Sequence, residues 1–119
     1  MYDTGVLARI LDGAKLTTTT SFKEITEALA AKKPMWIDLE RHSPDADKLL
    51  ADVLKFHPLT IEDVWGPRGQ PKIDDFDEYL YVILHGVGSK KRDKLELVEI
   101  DVVIGENWLV THDRDGLVS

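Results

Sequence analysis

Tyr79-Leu80-Tyr81-Val82-Ile83-Leu84 is an unbroken apolar and aromatic run, and it constrains this chain more than any other stretch. In an extended strand Leu80, Val82 and Leu84 point one way while Tyr79, Tyr81 and Ile83 point the other. A strand with two such faces belongs inside a sheet, covered on both sides. Residues 97–104 form the next strand, with Val98, Ile100, Val102 and Ile104 on one face and Leu97, Glu99, Asp101 and Val103 on the other. Gly105-Glu106-Asn107 then turns the chain into Trp108, Leu109, Val110 and Thr111, which completes an antiparallel meander.

Upstream, residues 6–11 and 15–19 flank Asp12-Gly13 and predict a first hairpin, with Thr17, Thr18 and Thr19 favouring strand over helix. Ser21 and Glu24 form a capping-box signature, and Ile25, Ala28 and Leu29 share one helical face. That helix stops near Lys32-Lys33, before Pro34. Residues 35–39 read as a buried strand. Ser43-Pro44 starts a second helix whose packing face is Ala46, Leu49, Leu50, Val53 and Leu54. Residues 58–64 form a short third helix ended by Gly66-Pro67. The order predicts an α/β fold: one domain over residues 1–119, with three αβα layers around a mixed parallel and antiparallel sheet.

A chain of 119 residues carries one modest core. It has no cysteine, which excludes disulfides and thiolate metal sites and fits a reducing compartment. Met1-Tyr2-Asp3-Thr4-Gly5 does not open a secretory signal, and no apolar run approaches the roughly 20 residues of a membrane span. The chain is therefore expected to be soluble. A formal charge of −7 argues against a nucleic-acid partner. Lys90-Lys91-Arg92, followed by Asp93 and Lys94, reads as a solvated hairpin loop, with a phosphate or lipid-headgroup contact as the alternative.

Candidate chemistry is sparse. Asp74, Asp75, Asp77 and Glu78 could attract a hard cation, but no glycine-organised calcium loop is present, so they read as an acidic approach to the strand. Glu62 and Asp63 are placed to pair with Arg68 or Lys72 across the Gly/Pro turn. His42, His57, His85 and His112 lack zinc-ligand spacing, and His57 reads as a boundary residue before Pro58. Ser21, Ser43 and Ser89 sit in no nucleophile elbow, and no glycine motif for dinucleotides or nucleoside triphosphates occurs. Trp65 is expected to anchor the connection at residues 65–71 by packing its indole on the sheet or on a partner. The residues assign no catalytic, cofactor-binding or metal-binding position, and the chain is not expected to be an enzyme.

The series His57-Pro58-Leu59-Thr60-Ile61-Glu62-Asp63, then Gln70-Pro71-Lys72, then Phe76, Tyr79-Leu80-Tyr81, resembles the cytoplasmic amino-terminal domain of the CorA family of divalent-cation channels and transporters. Trp36-Ile37-Asp38-Leu39 upstream and Asn107-Trp108-Leu109-Val110-Thr111 downstream match the same family in order and spacing. The resemblance implies a regulatory and assembly domain of a divalent metal ion transporter, with Mg²⁺ as first cargo and Zn²⁺ or Co²⁺ as alternatives. It gives Glu62, Asp63, Pro71 and Lys72 a structural or assembly role.

Family members resemble homopentamers whose cytoplasmic domains continue into a stalk helix, two membrane helices and a Gly-Met-Asn motif. None of these lies in this sequence, so the resemblance implies an amino-terminal part of a longer protein at the cytoplasmic face of the membrane. Its partners would be other copies of the same subunit, while the part alone would be a monomer or weak dimer with weak affinity for divalent cations. Regulatory cations in the family use a carboxylate in the loop after the central strand. Here that loop is mostly basic and offers only Asp93, which departs from the family's Mg²⁺-sensing pattern and leaves a zinc-transporting or otherwise divergent branch open. Two other readings stand beside this one: a free-standing α/β binding domain, and a metal-dependent hydrolase using Asp74, Asp75 and Asp77.

Overall fold

The computed structural model describes residues 4–67, 69–91 and 94–113, with side chains described outside 88–97. The described residues form seven strands: β1 (Val6–Asp12), β2 (Lys15–Thr19), β3 (Met35–Leu39), β4 (Lys72–Asp75), β5 (Leu80–Lys91), β6 (Lys94–Ile104) and β7 (Trp108–Asp113). They form one sheet in the order β2-β1-β3-β7-β6-β5-β4. Among the described residues only β3 and β7 pair in parallel, with Met35 opposite Trp108 and Ile37 opposite Val110. The other neighbours are antiparallel, so the sheet is mixed, as expected.

The helices follow the local signals. Ser21 accepts the Glu24 N–H at 3.2 Å and starts α1 (Phe22–Ala30), which ends before Lys32 takes a φ of 57°. Ser43 accepts the Ala46 N–H at 3.0 Å and starts α2 (Pro44–Lys48). The expected continuation into residues 49–54 is not α-helical: Leu49–Val53 is a π-helical turn. Ala46, Leu49 and Leu50 are nonetheless buried together, as the expected packing face requires. His57 caps α3 (Pro58–Trp65), its Nδ1 accepting the Leu59 N–H at 3.1 Å.

The described helices pack on the inner face of the sheet. Ile25, Leu49, Leu50 and Val64 meet Ile37 and Tyr81 in one continuous core. The opposite, outer face is open among the described residues, with Trp36 41% exposed, Leu84 51% and Ile104 43%. The expectation that β5 is covered on both faces therefore holds on one. Tyr79, Tyr81 and Ile83 are buried, while Leu80 and Leu84 face outward. β3 is likewise buried at Met35, Ile37 and Leu39 but not at Trp36. The described residues thus supply the sheet and one helical layer.

Two further expectations change. Residues 72–75, part of the expected acidic approach to the strand, form edge strand β4, with Asp74 opposite Tyr81 and Ile73 opposite Val82. Lys90 and Lys91 belong to β5 and not to a loop, because the hairpin pairing runs out to Lys91 opposite Lys94 with an irregularity after Gly88. Arg92 and Asp93, including the single candidate for a gating carboxylate, lie outside the described residues. On β6 the apolar alternation at Ile100, Val102 and Ile104 faces outward, and Glu99, Asp101 and Val103 face the core.

Candidate functional site

The residues singled out in the sequence converge where α3 lies over β4, β5 and β6. Tyr79 is the pivot. Its hydroxyl accepts the His57 N–H at 2.9 Å and shares a 2.8 Å hydrogen bond with the Thr60 hydroxyl. Its ring packs on Phe56 and Phe76 with centroids 4.9 Å away in both cases. The His57 ring adds an edge to Phe76. One tyrosine thus fixes the start of α3, which has no earlier turn to bond its first N–H groups.

Lys72 fixes the middle of the helix. Its ammonium lies 3.2 Å from Asp63 on α3 and 2.9 Å from Asp74 on β4, above the Tyr81 ring. Asp74, and then Asp63, hold it protonated above the ordinary lysine value, against the opposite effect of partial burial. Of the two carboxylates at 62 and 63, Asp63 makes the expected pair with Lys72 while Glu62 is exposed. Arg68 lies outside the described residues.

Deeper in, the Tyr81 hydroxyl donates to Asp101 at 2.6 Å. Glu99 accepts the Gly69 N–H at 2.9 Å and lies 3.2 Å from His85 Nε2, which also contacts the Gly69 carbonyl. Both carboxylates are 1% exposed, and burial on that scale is tolerated because the groups are hydrogen-bonded. Sequence reasoning missed them, because it sorted the two faces of the strand without deciding which one is inside. The available signal is the pairing itself: His85 opposite Glu99 puts Tyr81 and His85 on the same face as the two acids.

A second cluster forms at the end of α3. The Trp65 indole stacks on His42 at 4.5 Å and meets the edge of His112 on β7 at 4.8 Å. His42 bonds Asp47 at 2.8 Å, and His112 Nδ1 bonds the Leu39 carbonyl at 2.9 Å. Trp65 therefore anchors the connection after α3 to the sheet, as expected. His57 is a helix cap, and His85 supports the Gly69 turn.

The acidic run does not converge. Asp74 is committed to Lys72, and Asp75 accepts the Asp77 N–H at 2.8 Å in a turn where Asp77 has a φ of 69°. Asp77 and Glu78 line an open cleft of about 510 Å³ with Leu54, Tyr79, Glu106 and Trp108. Among the described residues, no group of three or more His, Asp or Glu side chains is arranged to hold a metal ion. Ser21 and Ser43 are both spent as helix caps, and Ser43 also donates to the Thr4 carbonyl.

The family model for the CorA-like Mg²⁺ transporter protein matches residues 31–119. The chain belongs to this family. It is 33% identical over 87 residues to YfjQ of Bacillus subtilis, a match spanning 71% of this chain and 26% of that protein. It is 23% identical over 94 residues to the cobalt/magnesium transport protein CorA of Thermotoga maritima, covering 77% of this chain and 27% of that one. The solved cytoplasmic domain of ZntB from Vibrio parahaemolyticus has the same fold, with a TM-score of 0.62 at 18% identity over 92% of this chain and 44% of that chain. The chain spans about a quarter of the length of these curated relatives. Its family is one of transporters and not an enzyme class. Among the described residues, no helix is long and apolar enough to cross a membrane.

Proposed function

We propose that this chain is the cytoplasmic regulatory and assembly domain of a longer CorA-like divalent metal ion transporter, and that it acts by conformational coupling between subunits and not by covalent chemistry. The family match over residues 31–119 carries this reading. The geometry supports it. The family-like residues His57, Asp63, Lys72 and Tyr79 are used to lock α3 to the sheet, as a domain that transmits force between neighbours requires. The open outer face supports the longer chain, because a half-exposed Leu84, Ile104 and Trp36 is a surface that a further layer would bury. In this reading the remaining chain supplies that layer, the stalk and the membrane helices. The partners are copies of the same subunit in a pentamer at the cytoplasmic face of the membrane. Mg²⁺ is the first cargo to test, with Co²⁺ and Zn²⁺ as alternatives.

The test is flux. The longer protein, reconstituted in liposomes loaded with a Mg²⁺-sensitive dye, should carry Mg²⁺ inward, and deletion of residues 1–113 should abolish or deregulate that flux. Flux with unchanged rate and unchanged response to internal Mg²⁺ after the deletion would overturn the regulatory role. Repeating the assay with Co²⁺ and Zn²⁺ identifies the cargo. The reading as a free-standing binding domain predicts no flux from any product of the gene.

A further inference from the structure

The outer face carries a cation beside its apolar residues. Arg9 on β1 stands cross-strand from Trp36 on β3, and its guanidinium lies 4.5 Å above the indole ring. Trp36 is itself held in place: its Nε1–H donates to the Thr111 hydroxyl at 2.8 Å, and that hydroxyl donates to Asp38 at 3.3 Å. The nearby carboxylate of Asp38 is thus engaged with Thr111. Arg9 Nη1 is shielded from solvent and has no hydrogen-bond partner. Among the described outward positions on β1, β3, β6 and β7, Arg9 is the one cation. A guanidinium is not left this way without cost, because a shielded donor lacking an acceptor forfeits a charged hydrogen bond.

We propose that Arg9 is the polar anchor for an amphipathic helix that covers this face, contributed by the same polypeptide after residue 119, and that it takes a carboxylate from that helix. The inference rests on the reading above that the chain continues. The face prescribes the occupant: an apolar stripe for Leu80, Leu84, Ile104 and Trp36, and an Asp or Glu placed over β1. The apolar area supplies affinity but no register. A single bidentate Arg–carboxylate contact supplies register, since sliding the helix by one turn leaves a desolvated charge without a partner. Trp36, Thr111 and Asp38 hold the guanidinium in position before the helix arrives, which reduces the ordering cost of docking.

The chain contains no cysteine, so a single introduced thiol reports on the face without background. Leu84→Cys, and separately Ile73→Cys, should react with a maleimide about tenfold more slowly in the longer protein than in residues 1–119, while Lys23→Cys on the exposed side of α1 reacts equally in both. If the outer-face thiols react equally fast in both, no segment covers the face and the reading of a continuing chain loses its structural support. If they are protected, Arg9→Ala in the longer protein should restore most of the fast rate, and Arg9→Lys should restore less. Protection that Arg9→Ala leaves unchanged overturns the anchor while leaving the cover intact. Arg9→Ala should lower the denaturation midpoint of residues 1–119 only slightly, because there it removes the contact with the Trp36 ring and no charged hydrogen bond. A large drop would show that Arg9 acts through the sheet. Alanine replacement of each Asp and Glu in the following segment should find one position that reproduces the Arg9→Ala rate.

Discussion

The hydroxyl of Tyr79 accepts the backbone N–H of His57 at 2.9 Å, across the junction between the third helix and the strand that follows the acidic run. Two residues well apart in the sequence are thereby one structural unit. Tyr79→Phe keeps the ring contacts with Phe56 and Phe76 but leaves the His57 N–H and the Thr60 hydroxyl without this partner. We expect a loss of about 1–3 kcal/mol in urea unfolding. A change below the precision of the measurement would show that water replaces the hydroxyl.

Lys72 gives a pH-dependent test. Its folded-state pKa is raised by Asp74 and Asp63, so the stabilisation is fully present below the ordinary lysine value of about 10.4 and is lost as pH rises through the raised value. The wild type should therefore converge on Lys72→Met in urea midpoint as pH rises above about 10.4. Comparing the two proteins at each pH cancels the ionisation of tyrosines. Because the lysine side chain is 34% exposed, the neutral-pH difference should be modest, about 1 kcal/mol or less. A difference that grows with pH would reverse the sign of the argument.

Gly105 is fixed by packing. A Cβ there would run into the Trp108 indole. That ring contacts Phe56 with centroids 5.6 Å apart, so it has little room to give way. Gly105→Ala should displace the indole, shift tryptophan emission to the red and cost about 1–3 kcal/mol. Unchanged emission with unchanged stability would mean that the β6–β7 turn yields instead.

Residues 1–119 alone should be a monomer in weak, concentration-dependent equilibrium with a dimer, because the open outer face presents Leu84 and Ile104 to solvent. Light scattering over a hundredfold range of concentration measures this, and Leu84→Lys should shift the protein fully to monomer. Calorimetry with Mg²⁺ and Zn²⁺ should show only weak binding, since Asp74 is occupied by Lys72 and Asp75 by the Asp77 N–H. A stable pentamer would contradict the first expectation, and a stoichiometric site abolished by Asp77→Asn the second.

The local signals were legible because they act over a few residues. Ser21, Ser43 and Pro58 each mark a helix start, and Asp12-Gly13 marks the first hairpin. What stayed hidden depends on which side of the sheet each strand turns to the helices. The alternation in β6 separates Ile100 and Val102 from Glu99 and Asp101 without saying which set is inside, and hydrophobicity argues for the wrong one. The inner side belongs to the acids because Tyr81, His85 and the Gly69 N–H are waiting there. Glu99 and Asp101 therefore could be placed only after the partner strand.

The parallel pairing of β3 with β7 sets an order of events in time. It joins residues about 70 positions apart, whereas β1–β2 and the β4-β5-β6-β7 neighbours are linked by short connections. Closing the long loop carries the larger entropic cost, and contacts of such separation form late. The two halves of the sheet should therefore organise separately and meet at Ile37 and Val110 near the end of folding. Truncating either side chain should then accelerate unfolding and leave the refolding rate almost unchanged. On the ribosome, the first half would have its strands in place before Trp108 is synthesised, and would hold an unpaired edge at β3 until the second half arrives.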